Sequence, residues 1–275
     1  IDSRLDWVGA AYRRQKLDGM LNTAIVYPLL RALFGKRLHQ PLSGEAALSI
    51  GLVRALLDDV DRRRSGDPAP EAWPVAEALA GRWRVGEAWL GPWNGPRGPP
   101  EDASHALARA VAPVFGEMAR YADRWQRREG SEAIPSFGQA GLEDGGPQVD
   151  TGALEDAFRL GCGELGPLWR QVLPPSTLLA LRRAAEAERA RFADALWARI
   201  VYDFALAFCL RTVERRQLLR SMTPIYLGWV AGFARDVRAL DAAGTEARVE
   251  SLCAVFEREK PYAIARWRWP DGFNP

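Results

Sequence analysis

Lysine, histidine and cysteine are scarce in this chain of 275 residues, and long apolar runs are absent. Lysine occurs only at positions 16, 36 and 260, so arginine supplies nearly all of the 37 basic side chains. The 35 acidic residues leave a net charge of +2, which gives no overall attraction to nucleic acid. The longest apolar stretches are shorter than the ~20 residues that a membrane span needs. We therefore expect neither nucleic acid as a partner nor a membrane span.

The three cysteines, Cys162, Cys209 and Cys253, are odd in number and distant in sequence. This distribution excludes a disulfide framework or a Cys-x-x-Cys zinc site built locally. It is typical of the reducing cytoplasm, where we expect the protein to reside. The N-terminus has no basic and apolar leader, and the chain begins at Ile1 rather than Met, which we interpret as a truncated, processed or excised chain.

Hydrophobic periodicity predicts a mainly α fold with a few strands. Apolar residues recur at helical spacing over 17–34, where Gly35 is expected to end the helix and Pro28 to kink it. The same spacing predicts three more helices before residue 150, over 48–60, 71–83 and 107–125, and five after it.

Two short strands are predicted, over 5–11 and 84–90, because both carry Val and Trp and the second ends at a cluster of breakers. Residues 40–45 have the composition of a turn, and residues 130–147 that of a surface loop. Glu45 at the end of that turn should be exposed, and its simplest role is to cap the helix that follows.

Several familiar motifs lack the structural context that their functions require. Gly161-Cys162-Gly163-Glu164-Leu165-Gly166 has the spelling of a dinucleotide fingerprint, but a helical pattern precedes it, so we expect a helix packing point. Asp59-Val60-Asp61 has Asp-x-Asp spacing, yet on a helix the two carboxylates diverge. His39 and His105 have no ligand-like neighbours and are expected to be surface groups. The sequence therefore predicts no tight metal site in this chain.

Residues 26–37 read Val-Tyr-Pro-Leu-Leu-Arg-Ala-Leu-Phe-Gly-Lys-Arg, and residues 40–45 read Gln-Pro-Leu-Ser-Gly-Glu. Further similar segments follow in order at 84–91, 130–138, 196–205 and 219–228. Together these segments resemble bacterial family 2 glycosyltransferases related to mannosylglycerate and glucosyl-3-phosphoglycerate synthases. The resemblance extends over nearly the whole chain.

The resemblance implies a GT-A type transferase that moves a sugar from a nucleotide-sugar donor to a small acceptor. Residues 1–100 would form the acceptor-side half of its α/β domain, and residues 101–275 a helical region. The donor-binding half, with the Asp-x-Asp metal motif, would be an N-terminal partner outside this chain. We expect no cofactor in this chain, whereas a divalent cation, Mg²⁺ or Mn²⁺, would belong to the full protein.

Four candidate site residues come from this resemblance. Glu45 matches the acidic end of a family turn, and Glu71 falls where the family has an acidic residue before a similar helix. Both are candidates for orienting hydroxyl groups, although Glu71 also suits the N-terminus of a helix through the helix dipole. Ser43 and Gly44, at the glycine positions of the turn, are predicted to bind substrate. No metal ligand is predicted, because the loop after Leu90 lacks the family's histidine.

Two hypotheses stay open at this level. The chain is either the acceptor half of a sugar transferase, competent only with its donor half, or a catalytically degenerate helical scaffold or interaction module. A hydrophobic strand ending in Asp-x-Asp upstream of Ile1 in the coding sequence would favour the first hypothesis.

Overall fold

Helices dominate the computed structural model, which describes residues 4–60, 72–95, 102–146 and 149–269. Over those residues it contains eleven α-helices and a sheet of four strands, which confirms the predicted fold class. No helix in this part of the chain is long and apolar enough to cross a membrane.

A small mixed sheet orders the N-terminal part of the chain. Its strands are β1 (Trp7–Arg13), β2 (Ala46–Leu48), β3 (Val85–Pro92) and β4 (Ser136–Phe137), in the spatial order β2, β1, β3, β4. β1 runs antiparallel to β2 and parallel to β3, and β3 runs parallel to β4. The two predicted strands are β1 and β3. Because they are parallel, their carboxyl ends meet at one edge of the sheet.

The helix after β1 changes its winding along its length. A π-helical turn, Asn22–Val26, leads into α1 (Tyr27–Phe34), and the Tyr27 amide donates to the carbonyl of Asn22. Pro28 stands in the first turn of α1, a position where proline is tolerated, and the kink expected there stays a prediction. Gly35 ends α1 in the left-handed conformation, with φ +67, as predicted.

The next two helices are α2 (Ile50–Val60) and α3 (Trp73–Ala80). The prediction that α2 begins near Leu48 was wrong, because Leu48 pairs with Trp7 in the sheet. Ser49 starts α2 instead, and its hydroxyl accepts the Leu52 amide at 3.2 Å. The cap of this helix is therefore Ser49 and not Glu45.

The remaining helices pack around one another and against α1. They are α4 (Ala103–Arg120), α5 (Ala122–Trp125), α6 (Thr151–Glu164), α7 (Gly166–Trp169), α8 (Pro175–Glu186), α9 (Asp194–Leu210), α10 (Arg215–Val237) and α11 (Ala242–Arg268). Residues 130–146 contain no helix, as predicted for a loop, although β4 forms within them. Buried apolar residues from both sides of residue 100 share one core, and the division of domains there stays a prediction.

α11 is held against α1 by a buried cation. Arg31 on α1 is 4% exposed and donates to Glu250 at 2.5 Å and to Glu257 at 2.6 Å, both on α11. Its Nε also donates to the Ser131 hydroxyl at 3.1 Å. Burial alone would lower the pKa of Arg31, but the two carboxylates outweigh it and raise the pKa. The guanidinium therefore stays charged and fixes the register of the two helices.

One glycine of the fingerprint-like segment, Gly161, lies at a helix packing point. Gly161 on α6 lies so close to Pro224 on α10 that a Cβ on the glycine would collide with the proline ring. Gly228 on α10 receives the ring of Phe158 from α6 in the same way. Gly163, which is also on α6, faces open space. Gly161 and Gly228 therefore set how closely α6 and α10 approach.

Replacing Gly161 with Ala should lower the free energy of unfolding by about 1–3 kcal/mol, because overpacking forces the backbone or Pro224 to shift. Gly163→Ala is the matched control in the same helix. It should be neutral or stabilise by up to about 1 kcal/mol, because alanine has the higher helix propensity. Urea denaturation compares the two variants, and equal stabilities would contradict the packing role of Gly161.

Candidate functional site

A cleft of about 200 Å³, lined by many polar residues, opens just after the carboxyl end of β1 and beside Trp89 of the parallel strand β3. Ligands of sheet proteins commonly bind at this edge of parallel strands. Its walls come from the segment after β1, the π-helical turn, α1, β3 and α11. The side chains that line it include Arg14, Lys16, Asn22, Tyr27, His39, Gln40, Trp89, Glu246 and Glu250. We call this site the acceptor cleft.

A buried carboxylate lies beside the acceptor cleft. Glu87 on β3 is 1% exposed, and its side chain accepts four hydrogen bonds. His39 gives two of them, from Nδ1 at 2.8 Å and from its backbone N–H at 3.1 Å. Trp89 Nε1 and the Ser136 hydroxyl donate at 3.2 Å and 3.1 Å. The carboxylate is thus fully engaged by its neighbours.

These hydrogen bonds decide the charge of Glu87. Burial alone would raise the pKa of its carboxyl group, because desolvation disfavours the ionised form. The hydrogen bonds and electrostatic attraction of His39, with help from Ser136, outweigh burial and hold the pKa of Glu87 below its ordinary value. Glu87 is therefore an anion at neutral pH.

The same contact decides which nitrogen of His39 carries a proton. Since Nδ1 faces a carboxylate, the neutral ring holds its N–H there, and Nε2 keeps the lone pair. The side chain is 40% exposed, and the ring lies 5.1 Å from Tyr27 and 5.7 Å from Trp89 between centroids. Asn22 Nδ2 donates to the His39 carbonyl at 2.9 Å. This is the arrangement of a general base oriented by a buried carboxylate.

Gln40 connects the acceptor cleft to the turn that follows it. Its Nε2 donates to the Tyr12 carbonyl at 2.6 Å, and its Oε1 accepts the Tyr12 amide at 3.2 Å. The side-chain amide therefore pairs with the main chain of β1 as a neighbouring strand would. This pairing holds the 40–45 turn at the carboxyl end of β1.

Fixed carboxylates and aromatic rings also form part of the wall of the acceptor cleft. Glu250 accepts the Tyr27 hydroxyl at 3.0 Å as well as Arg31, and Glu246 accepts the Leu142 amide at 2.6 Å. Burial would raise the pKa of Glu250, but the Arg31 guanidinium outweighs it and lowers the pKa. Ionised carboxylates accept hydrogen bonds from hydroxyl groups, and aromatic faces pack against apolar ring surfaces. The wall is thus suited to a small hydroxylated molecule.

Glu45 lies at the end of the turn, outside the set of described residues that line the acceptor cleft. Its side chain is exposed and accepts the Tyr12 hydroxyl, a contact that raises the pKa of Tyr12. Ser43 is half-buried and bonds the Glu45 carbonyl at 3.3 Å, while Gly44 is exposed in the left-handed conformation, with φ +86. These three predicted site residues stay together, beside the cleft and not within it. Glu71, the fourth, lies outside the described residues.

Metal chemistry is not assigned to this chain. Among the described residues no group of three or more His, Cys, Asp or Glu side chains converges to hold an ion. Asp59 of the Asp-x-Asp spelling is instead bonded to Arg120. Asp61 lies outside the part of the chain that the structure describes.

The pairing of His39 with Glu87 is absent from the sequence predictions, which treat His39 as a surface group. One signal was available. Glu87 interrupts an otherwise apolar strand, Val85–Pro92, and an acidic residue is rarely buried there without a partner. The identity of the partner was hidden, because 48 residues separate the two side chains.

Comparison with known proteins gives no family model and no curated protein that matches this chain. Functional inference therefore depends on the geometry of the acceptor cleft and on the resemblance carried by residues 26–45 and the later segments.

Replacing Glu87 with Gln should lower the free energy of unfolding by about 1.5–3 kcal/mol at pH 7, the value of a charged hydrogen bond. Because the folded pKa lies below the ordinary value of 4.5, this contribution is present above that value. It is lost as the pH falls through the folded pKa, so wild type and variant should converge at acidic pH.

Urea denaturation between pH 7 and pH 3 measures this convergence. Glu132→Gln is the control, since Glu132 also has a lowered pKa but is exposed, and exposed ion pairs contribute little. A stability gap for Glu87→Gln that does not depend on pH would contradict the assignment.

Proposed function

We propose that the acceptor cleft binds the acceptor of a sugar transferase and that His39 acts as the general base. The observation that carries this proposal is the contact between buried Glu87 and His39 at the wall of a polar cleft. Transfer of a sugar to a hydroxyl group is helped by a base that removes the hydroxyl proton. The resemblance of residues 26–37 and 40–45 to nucleotide-sugar transferases supports the same chemistry independently.

In the proposed reaction the acceptor hydroxyl gives its proton to Nε2 of His39. Its oxygen forms a bond to the anomeric carbon of the donor sugar, and the nucleoside diphosphate leaves with the electron pair of the broken bond. Glu87 does not take the proton. Its negative charge keeps Nδ1 protonated and stabilises the imidazolium that forms.

The lining of the cleft favours an acceptor that combines hydroxyl groups with an anionic group. Glu246 and Glu250 offer acceptors for hydroxyl hydrogens. Arg14 and Lys16 add positive charge at the same site, and the Arg14 guanidinium lies 3.9 Å over the Trp93 ring. A volume of about 200 Å³ limits the acceptor to a small molecule, and a short hydroxy acid has the required groups.

The donor side is inferred from the resemblance alone. A nucleotide-sugar donor, an N-terminal half that binds it and a Mg²⁺ or Mn²⁺ ion stay predictions for the full protein. A cytoplasmic location also stays a prediction, based on three cysteines that are free in the structure. The residues assigned in this chain serve the acceptor.

His39→Gln should lower sugar transfer about 10²- to 10⁴-fold, because general-base catalysis contributes that much. The matched control is His105→Gln, which removes the other histidine at an exposed position of α4. Transfer from nucleotide sugars to hydroxy acids is measured in the full-length gene product, together with the melting temperature of each variant.

Unchanged transfer by a folded His39→Gln variant would exclude the role of base. A full-length product that transfers no sugar to any tested acceptor would favour the alternative, a catalytically degenerate scaffold.

Glu45→Gln should reduce turnover by at least about tenfold if Glu45 orients a substrate hydroxyl, since misplaced groups lose their positioning advantage. The melting temperature should change little, because the contact of Glu45 with Tyr12 is exposed. Tyr12→Phe is the control, because it removes the same hydrogen bond and keeps the carboxylate. Equal losses of turnover in the two variants would mean that Glu45 acts only by positioning Tyr12. No loss in either variant would exclude Glu45 from the site.

A further inference from the structure

A second and larger cleft, of about 880 Å³, lies at the opposite edge of the sheet, where β1 and β3 begin. Its walls include Leu5, just before β1, and Val85, the first residue of β3. The described residues that line it are all different from those of the acceptor cleft. We call it the basic groove.

Positive charge dominates the basic groove. Among the described residues that line it, six side chains are cationic and one, Glu132, is anionic. The cations are Lys36, Arg82, Arg84, Arg124, Arg127 and Arg128. The imbalance is local, because the whole chain has a net charge of only +2. Like charges gathered in a cleft repel one another and attract anions.

The single anion leaves most of this charge uncompensated. Glu132 accepts from Lys36 and from Arg128 Nη2, the latter at 3.2 Å, and both cations draw its pKa down. Arg82 and Arg127 make no ion pair with any described residue. Two guanidinium groups are therefore available to an external ligand.

Arg84 and Arg124 are anchored without being fully neutralised. The Arg84 side chain is 56% exposed, and its Nε lies 3.7 Å from Asp6, a long distance for an ion pair. Arg124 donates to the carbonyl of Ala80 at 2.9 Å, and this uncharged acceptor does not neutralise the guanidinium. These contacts hold the two side chains in place while most of their charge still faces outward.

An aromatic side chain lies among the arginines. Trp83, the residue between Arg82 and Arg84 in the sequence, also lines the groove. Its Nε1 donates to Glu77 at 3.3 Å, and this hydrogen bond fixes the indole. Phe34 and Ile134 add apolar surface. The groove thus offers cations for an anionic group and apolar surface for a ring attached to it.

We propose that the basic groove binds a small ligand that carries two or more phosphoryl groups. Guanidinium groups match phosphoryl oxygens with two parallel hydrogen bonds. Arg82 precedes β3 and Arg127 follows α5, so the cations enter from two separate segments. A ligand with one charged group engages one segment, whereas a diphosphate presents charge to both. The proposal does not depend on sugar transfer in the acceptor cleft.

Calorimetric titration of the protein with pyrophosphate, ADP, AMP and sulfate tests this proposal. Pyrophosphate and ADP should bind saturably, more tightly than AMP and sulfate, and more weakly as salt is added. Trp83→Leu distinguishes the two sources of the diphosphate. If the ring of a nucleotide packs on the indole, the variant should bind ADP more weakly and pyrophosphate with unchanged affinity. If the ligand is an inorganic diphosphate, the affinities for both should stay unchanged.

The double variant Arg82→Gln/Arg127→Gln should weaken binding at least about tenfold, the effect of losing a charge-assisted hydrogen bond. Arg182→Gln/Arg220→Gln is the matched control, since both arginines are exposed on helices that do not line the groove, and its affinity should stay within about twofold of wild type. Glu132→Gln should strengthen binding, a gain that misfolding does not produce. Absence of saturable binding, or equal weakening in the two double variants, would overturn the proposal.

Discussion

The buried guanidinium of Arg31 joins the parts of the molecule that meet at the acceptor cleft. It lies on α1, and it bonds two carboxylates of α11 and the hydroxyl of Ser131 in the loop before β4. An isolated buried cation would cost several kcal/mol, so α11 is stable only in the register that supplies both carboxylates. One of those carboxylates, Glu250, also lines the acceptor cleft. The helical region therefore completes the site and is not an appendage to the sheet.

The sheet separates two chemistries along one pair of parallel strands. After the carboxyl end of β1 and beside β3, cations and carboxylates are mixed, and the carboxylate of Glu87 on β3 is buried against an imidazole. At the other ends, arginines gather with one acid among the described lining residues. The near-neutral total charge hides this asymmetry, because acids outside the basic groove, such as Glu250 and Glu257, are already paired with the buried cation Arg31. Local charge, and not the sum over the chain, decides what each edge attracts.

Sequence patterns predicted the elements well where burial is periodic. The long helices followed from the spacing of apolar residues, since that spacing records one buried face. The strands around Trp7 and Val85 followed instead from their Val and Trp content and, for the second, from the breakers at its end. Leu48 was misplaced because a three-residue strand carries too short a pattern to compete with the helix after it. The pairing of His39 with Glu87 depends on tertiary structure, and no local pattern encodes it. The turn of Glu45 was located correctly, but its distance from the cleft depends on how Gln40 attaches it to β1.

The π-helical turn at Asn22–Val26 has a consequence for the shape of the acceptor cleft. In a regular α-helix, side chains five positions apart point roughly 140° away from each other, because each residue turns the helix by about 100°. The wider turn, closed by the bond from the Tyr27 amide to the Asn22 carbonyl, turns the chain less per residue and so brings positions 22 and 27 closer to one face. Both residues consequently line the same wall, and Asn22 reaches the carbonyl of His39. The extra residue in this turn therefore lets two chemically different side chains share a face. A regular α-helix here would direct one of them away from the acceptor cleft.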